Sequence, residues 1–179
     1  MRGTPGAVRT VLERVVALLD ERHVPHALVG AAALAAAGIA RSTYDVDLLT
    51  GDATVLQHEF WSALRDDGIA VDLRRGDADD PLAGVVRFDQ AGERPVDLIV
   101  GKHEWQQRVV ARAVRPAKGA PIVTAADLVL LKLYAGGAQD LWDIRALLAT
   151  PGGPDIARQV DREIGSLPAA MSGIWKSIR

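Results

Sequence analysis

Two aspartates standing two residues apart in an apolar stretch constrain this chain more than any other feature. They are Asp45 and Asp47 in the run Arg41-Ser-Thr-Tyr-Asp-Val-Asp-Leu-Leu49. The run reads as a strand, and in a strand residues i and i+2 point to the same face. Two carboxylates are thus held side by side, with Val46 turned the other way. Like charges that close repel, and burying them is costly unless something positive lies between them. A divalent cation meets that need, and Mg²⁺ takes one or two carboxylates together with substrate phosphates. A plainer reading leaves both carboxylates at a strand end, capping a turn or pairing with Arg41.

Three further features bear on the same chemistry. Asp97 lies in Pro95-Val-Asp-Leu-Ile-Val100, where a lone carboxylate among apolar side chains needs a partner or an edge position. If its strand neighbours that of Asp45, three carboxylates converge. Three carboxylates can hold two metal ions, which clamp the attacking and leaving oxygens in nucleotidyl transfer. Val29-Gly30-Ala31 forms a turn between a strand and a helix, where backbone N–H groups attract phosphate and Gly lets a ligand approach. Lys132 lies in the apolar run Leu128–Leu133 and requires an anion or a route to solvent. Asp140 and Asp143 follow it. Asp140 can instead cap its helix, and Asp143 can pair with Arg145 or Lys132.

The bulk properties exclude several classes. With 179 residues the chain can build one domain with a sizeable core, or a domain with a helical appendage. It has no Cys, which removes disulfides, thiolate metal sites and Cys nucleophiles. Its longest weakly polar stretch, Ala27–Ala40, is broken by two glycines and falls short of the roughly 20 apolar residues that span a bilayer. The N-terminus lacks the charged-then-apolar layout of a signal peptide, so a cytoplasmic location away from membrane is expected. The net charge of −2 does not advertise nucleic acid. Locally, however, Lys102, His103, Arg108, Arg112, Arg115 and Lys118 fall in one window opposed only by Glu104. That window is either a solvated helix face or a phosphate-binding patch.

Periodicity orders the elements. Val8, Leu12, Val15, Val16 and Leu19 recur at helical spacing. A short strand at His26–Val29 leads into an Ala-rich helix ending at Gly38. After the Tyr44–Thr50 strand, Val55–Leu64 reads as a helix and Ile69–Leu73 as a strand. Asp77–Pro81 is an acidic turn. Val85–Phe88 and Pro95–Val100 read as a hairpin through Ala91-Gly92. Helices are expected at His103–Arg112, from a Thr124/Asp127 cap to Tyr134, at Asp140–Leu148, and lastly at Asp155–Ile164. Strands mixed with helices, then helices only, predict an α/β (α+β) core with a helical C-terminal part. His23, His26, His58 and His103 show no ligand spacing, and Trp61, Trp105, Trp142 and Trp175 read as core or interface residues.

These spaced motifs resemble the DNA polymerase β-type nucleotidyltransferase superfamily: Leu28-Val-Gly30, then Asp45-Val-Asp47, then a later strand carboxylate. Two segments are similar to its minimal bacterial branch, which includes AbiEii-type toxins of toxin–antitoxin systems. They are Gly38-Ile-Ala-Arg41-Ser-Thr43-Tyr-Asp45-Val-Asp47, and Ala126–Ala135 followed by Asp140-Leu-Trp-Asp143-Ile144. The likeness runs over about Val24–Leu148. It implies a small mixed-sheet nucleotidyltransferase core, residues 1–115, with a helical subdomain, 116–179, packed on it. It implies transfer of NMP from an NTP to an acceptor hydroxyl on a tRNA 3′ end, a protein or a small molecule such as an aminoglycoside. Asp45, Asp47 and Asp97 would bind Mg²⁺ or Mn²⁺, and Asp97 would take the acceptor's proton. Gly30, Ala31 with its N–H, Arg41 and Thr43 would hold phosphate. Lys132 would neutralise the triphosphate, and Asp143 would position Lys132 or a metal-bound water. In a toxin, a cognate antitoxin would be a partner, and an RNA acceptor would lie on the Lys102–Lys118 window.

The chain departs from the pattern twice. Ala31 stands where the superfamily carries Gly or Ser, and Gln139 where a basic residue is common. These departures favour an alternative, a catalytically weak or inactive protein of this fold acting as an antitoxin-like or regulatory partner.

Overall fold

Alternation along three neighbouring strands decides where every charged residue of interest lies. A computed structural model describes residues 9–41 and 43–179, so Val8 of the first helical stripe and Ser42 lie outside the described residues. The strands are β1 (His26–Leu28), β2 (Val46–Thr50), β3 (Ala70–Arg75), β4 (Leu82–Asp89) and β5 (Val96–Gly101). They form one sheet in the order β1-β2-β5-β4-β3. β2 and β5 are parallel, whereas β1–β2, β5–β4 and β4–β3 are antiparallel. The mixed α/β architecture is the one the sequence predicts.

Each strand sends alternate residues to opposite layers. Val46 and Leu48, Val86 and Phe88, and Val96, Leu98 and Val100 join one apolar cluster with α1 (Val11–Glu21) and the segment around Trp61. The intervening residues Asp47, Arg87 and Asp97 face the other way. On that side lies a second cluster, built from α2 (Gly30–Ala36), Leu49, α4 (Glu104–Ala111) and the helices that follow. Residues from before and after position 116 share this second cluster, Trp105 and Val109 packing with Leu128, Leu133, Ile144 and Trp175. A strand that buries both faces must place its few charged residues at its ends or against partners.

Two helical expectations change. Val55–Leu64 is not one helix: it comprises two short 3₁₀ turns, Ala53–Leu56 and His58–Trp61, and then α3 (Ser62–Asp66). Val55, Leu56, Phe60 and Trp61 are all buried, and they would spread too widely around a straight helix to bury on one face. An extended Gln57 resolves the conflict, and the Trp61 indole donates to the Val55 carbonyl (2.7 Å). At the other end the chain does not finish at Ile164. After α5 (Ala125–Ala135), α6 (Ala138–Leu148) and α7 (Gly153–Glu163) comes α8 (Ala169–Ile178). Its Met171, Ile174, Trp175 and Ile178 repeat at helical spacing and pack on the second cluster. The Trp175 indole donates to Asp161 on α7 (2.7 Å).

The two halves of the chain are tied by a buried ion pair. Thr124 caps α5, its hydroxyl accepting from Asp127 N–H (3.1 Å) and donating to the Asp127 carboxylate (2.8 Å). Arg112, after α4, donates to both Asp127 oxygens and to Glu163 on α7. The bond to Asp127 is the first cause holding the Arg112 guanidinium protonated above its ordinary range. No described helix is long and apolar enough to cross a membrane.

Asp127 is 2% exposed. Breaking a buried pair by removing one partner strands the other charge. Asp127→Ala is therefore expected to cost about 3 kcal/mol. Arg108→Ala, at the exposed pair with Glu104 (3.8 Å), should cost under about 0.5 kcal/mol. Urea unfolding midpoints compare the two; equal losses would contradict this account.

Candidate active site

Register brings the carboxylates together. Parallel pairing places Asp47 of β2 directly beside Asp97 of β5, and antiparallel pairing places Arg87 of β4 directly beside Asp97. All three are on the same sheet face by alternation. Asp45 immediately precedes β2, one turn of the pleat from Asp47. Arg87 Nη1 donates to Asp97 Oδ2 (2.9 Å) and lies 3.4 Å from Asp45 Oδ2. Asp45 and Asp97 thus stand within two hydrogen-bond lengths of one another. Arg87 Nε donates to Asp89 (3.1 Å).

Gly30 brings the opposite wall close. Its φ is +56°, and a Cβ there would overlap Asp47 Oδ2. Glycine is required twice over, by backbone conformation and by contact with a carboxylate. β1 delivers this turn beside β2, where Val29 N–H donates to the Asp47 carbonyl (3.0 Å). α2 has only seven residues, so its dipole is a minor attraction for anions and nearby cations matter more.

Those cations come from across the cleft. Lys132, on α5 and 7% exposed, donates to Asp140 (2.9 Å) and Asp143 (2.6 Å) on α6. Asp143, 1% exposed, also receives Arg41. Asp140 in addition caps α6, accepting from Gly137 N–H (3.2 Å). So Asp143 holds two cations together, and Arg145 is not its partner. Thr43 spends its hydroxyl on the Asp45 carbonyl (2.9 Å), and Arg94 donates to the carbonyls of Thr43, Tyr44 and Asp45. The loop before β2 is fixed from both sides.

A cavity of about 530 Å³ opens between the sheet and α5. Gly30, Ala31, Arg41, Thr43, Asp47 and Lys132 line it, with Leu82, Leu128, Leu131 and Tyr134 supplying apolar walls. Its size and mixed lining suit a small-molecule ligand. A second cleft, about 350 Å³, lies on the β3–β4 side and reaches Arg87 and Asp97. The paired strands put Asp47 at one opening and Asp97 at the other.

The electrostatics are strained toward a cation. Burial, then the charges of Asp97 and Asp45, push the Asp47 carboxyl above its ordinary range; Lys132 and Arg41 oppose this. Burial raises Asp97 as well, against the pull of Arg87. Asp45 Oδ1 is shielded and accepts no hydrogen bond. Hard oxygen donors, one of them orphaned, match the preference of Mg²⁺ or Mn²⁺. Among the described residues no three acidic or imidazole groups already surround a common point, and Arg87 bonds Asp97 and approaches Asp45.

Arg87 is the site residue that the sequence alone does not single out, because only its register on β4 sets it beside Asp97. The Lys102–Lys118 window is largely spent. Lys102 Nζ donates to the carbonyls of Asp77 (3.2 Å), Ala78 (2.7 Å) and Asp80 (2.9 Å). Arg115 pairs with Asp20 (2.6 Å), and His103 meets the Tyr134 hydroxyl (2.9 Å). Trp61, Trp105 and Trp175 are buried, while Trp142 is 65% exposed.

No protein-family model and no curated protein matches the chain in sequence. Solved structures do resemble it. ANT(2'')-Ia in complex with adenylyl-2''-tobramycin is 13% identical at a TM-score of 0.51, over 84% of this chain and 93% of that one. The solution structure of the antibiotic-resistance factor ANT(2'')-Ia is 17% identical at 0.44, over 92% and 86%. Terminal uridylyl transferase 4 from Trypanosoma brucei with bound GTP is 11% identical at 0.37, over 75% and 46%. The likeness to the first shows that this chain has a nucleotidyltransferase fold.

Two expectations follow from the crowded carboxylates. Because folding raises the Asp47 carboxyl, the folded chain binds its proton more tightly than the unfolded one. Asp47's contribution to stability is full below its ordinary value of 3.8 and is lost as pH rises through the folded-state value. Asp47→Asn should therefore raise Tm by a few degrees at pH 7, with the gain closing as pH falls toward 3.8. Gly30→Ala should do the reverse, lowering stability by about 1–2 kcal/mol through the left-handed backbone alone. Thermal scans across pH test both.

Proposed function

We propose that this chain transfers a nucleoside monophosphate from an NTP to an acceptor hydroxyl. One observation carries the reading: Asp47 and Asp97 are direct register partners, beside a cavity lined by Gly30, Arg41 and Lys132. Carboxylates forced together at the mouth of such a cavity, with one cation on the facing helix and another on the loop before β2, suit nucleotidyl transfer. Asp45, Asp47 and Asp97 are the groups that would hold Mg²⁺ or Mn²⁺. The metal, when bound, polarises the phosphoryl oxygens and acidifies the acceptor hydroxyl.

The chain's own residues divide the remaining work. Gly30 and the N–H of Ala31 give the triphosphate room to approach the sheet. Arg41 and Lys132 lie along it, their positions fixed by Asp143. Thr43 keeps the Asp45 loop in place through its hydroxyl. Asp97 is the group that would accept the hydroxyl proton, and its raised carboxyl range suits a base. One P–O bond forms to the acceptor oxygen as the bond to pyrophosphate breaks. The apolar walls at Leu128, Leu131 and Tyr134 would receive the base.

For the acceptor, the cleft at Asp97 favours a small hydroxylated molecule. Its arginines are all engaged: Arg74 with Asp72 (3.0 Å), Arg75 with the Leu56 carbonyl (2.6 Å), Arg87 with three aspartates. Arg74 and Arg87 are paired with carboxylates, so a polyanion would find only Arg75 uncompensated there, and Arg112 and Arg115 of the basic window are paired as well. The adenylylated tobramycin bound to ANT(2'')-Ia is a product of this chemical kind. A toxin acting on a tRNA 3′ end or a protein, with a cognate antitoxin, is the other acceptor reading that the AbiEii-type resemblance supplies.

The test uses each α-³²P-labelled NTP with Mg²⁺ or Mn²⁺ and three acceptor pools: aminoglycosides, total RNA and cell protein. Label should pass to the small-molecule pool, and Asp45→Asn or Asp47→Asn should lower it by more than about 100-fold. Label on RNA or protein instead would select the toxin reading. No transfer, with no NTP-dependent thermal shift, would leave the inactive interaction partner to which Ala31 and Gln139 point.

A further inference from the structure

Arg87 occupies the position that electrostatics reserves for a cation. Its Nη1 bonds both oxygens of Asp97 (2.9 and 3.2 Å) and approaches Asp45 Oδ2 (3.4 Å). Its Nε holds Asp89 (3.1 Å). Asp47, the third carboxylate, stands beside Asp97 in register and receives no bond from Arg87. The side chain is about one-third exposed, so it is not locked by packing.

A guanidinium and a divalent cation drawn to the same carboxylates repel one another, so the close approach of one opposes that of the other. We propose that Arg87 is a positioning residue that acts as a tethered stand-in cation. It holds Asp45 and Asp97 together while no metal is bound and yields when a metal arrives with nucleotide. This inference rests on the metal reading above and adds regulation to it. Asp89 makes the exchange feasible. It is half-exposed, lies on the same strand two residues away, and keeps Nε when Nη1 lets go. Metal alone must displace Arg87 without help. Metal carried by a triphosphate brings several negative charges, which offset Asp97's loss of its partner and offer Nη1 a new one. The chain would therefore bind free divalent metal poorly and metal–nucleotide well.

Mn²⁺ titration followed by the EPR signal of the free ion tests this without any turnover. In the absence of nucleotide, Arg87→Gln should bind Mn²⁺ at least about tenfold more tightly than the native chain. Arg75→Gln is the electrostatic control. It removes the same charge from the same cleft, but that guanidinium bonds the Leu56 carbonyl rather than a carboxylate. Its gain should stay below about threefold, the scale of a screened, unpaired charge. Arg87→Lys keeps the charge and loses the fork, and should fall between. Mn²⁺ should also raise the Tm of Arg87→Gln more than that of the native chain, which guards against loss of fold. With a non-hydrolysable NTP present, the gap between native and Arg87→Gln should shrink. Equal Mn²⁺ affinity in native and Arg87→Gln proteins, or an equal gain in Arg75→Gln, would overturn the proposal. Mn²⁺ binding that Asp47→Asn leaves untouched in every variant would instead remove the metal reading itself.

Discussion

The like-charge contact between Asp47 and Asp97 is what the rest of the structure answers to. Parallel strands paired in register leave two carboxylates adjacent. Every neighbouring feature reduces the cost of that contact. Arg87 enters from the next strand, Lys132 comes from the helical side, Arg41 comes from the loop before β2, and Gly30, with no side chain, leaves Asp47 room. A chain built only for stability would replace the pair with apolar residues, which would pack as well at lower cost. The pair is the feature on which the proposed metal site rests.

The helical side answers the same contact with its own network. Asp143 is almost fully buried and binds both Lys132 and Arg41, while Asp140 shares Lys132 and caps α6. Two cations anchored by two aspartates keep their geometry but little net charge. Such a wall can orient a polyanion closely without attracting it strongly from a distance. The short α2 fits this balance, since it contributes glycine geometry more than dipole.

Much of this was legible in the sequence. Asp45, Asp47 and Asp97 stand out because charge is rare inside apolar strand patterns, and period-two alternation says which neighbours share their face. Lys132 and Asp143 stand out for the same reason on helices. Arg87 did not, and the reason is register. The hairpin through Ala91-Gly92 was readable, but its loop length was not, and a one-residue slip would move Arg87 to the opposite face. The broken helix around Gln57 needed knowledge that four large side chains share one cavity in the core. The apolar spacing of α8 was present at Met171, Ile174, Trp175 and Ile178, but Gly173 and two serines diluted it. The basic window looked like a ligand surface because a sequence does not reveal ion pairs between distant residues, such as Arg115 with Asp20 or Arg112 with Glu163.

Pro81 and Leu82 line both clefts, and the turn before them is held by Lys102 on three carbonyls and by the Tyr134 hydroxyl on Pro81 (3.3 Å). The two chambers therefore share a partition. It cannot shift toward one without enlarging the other, so the volume open to a second guest depends on the first. Lys102, which lines neither cleft, fixes the turn from which that wall starts.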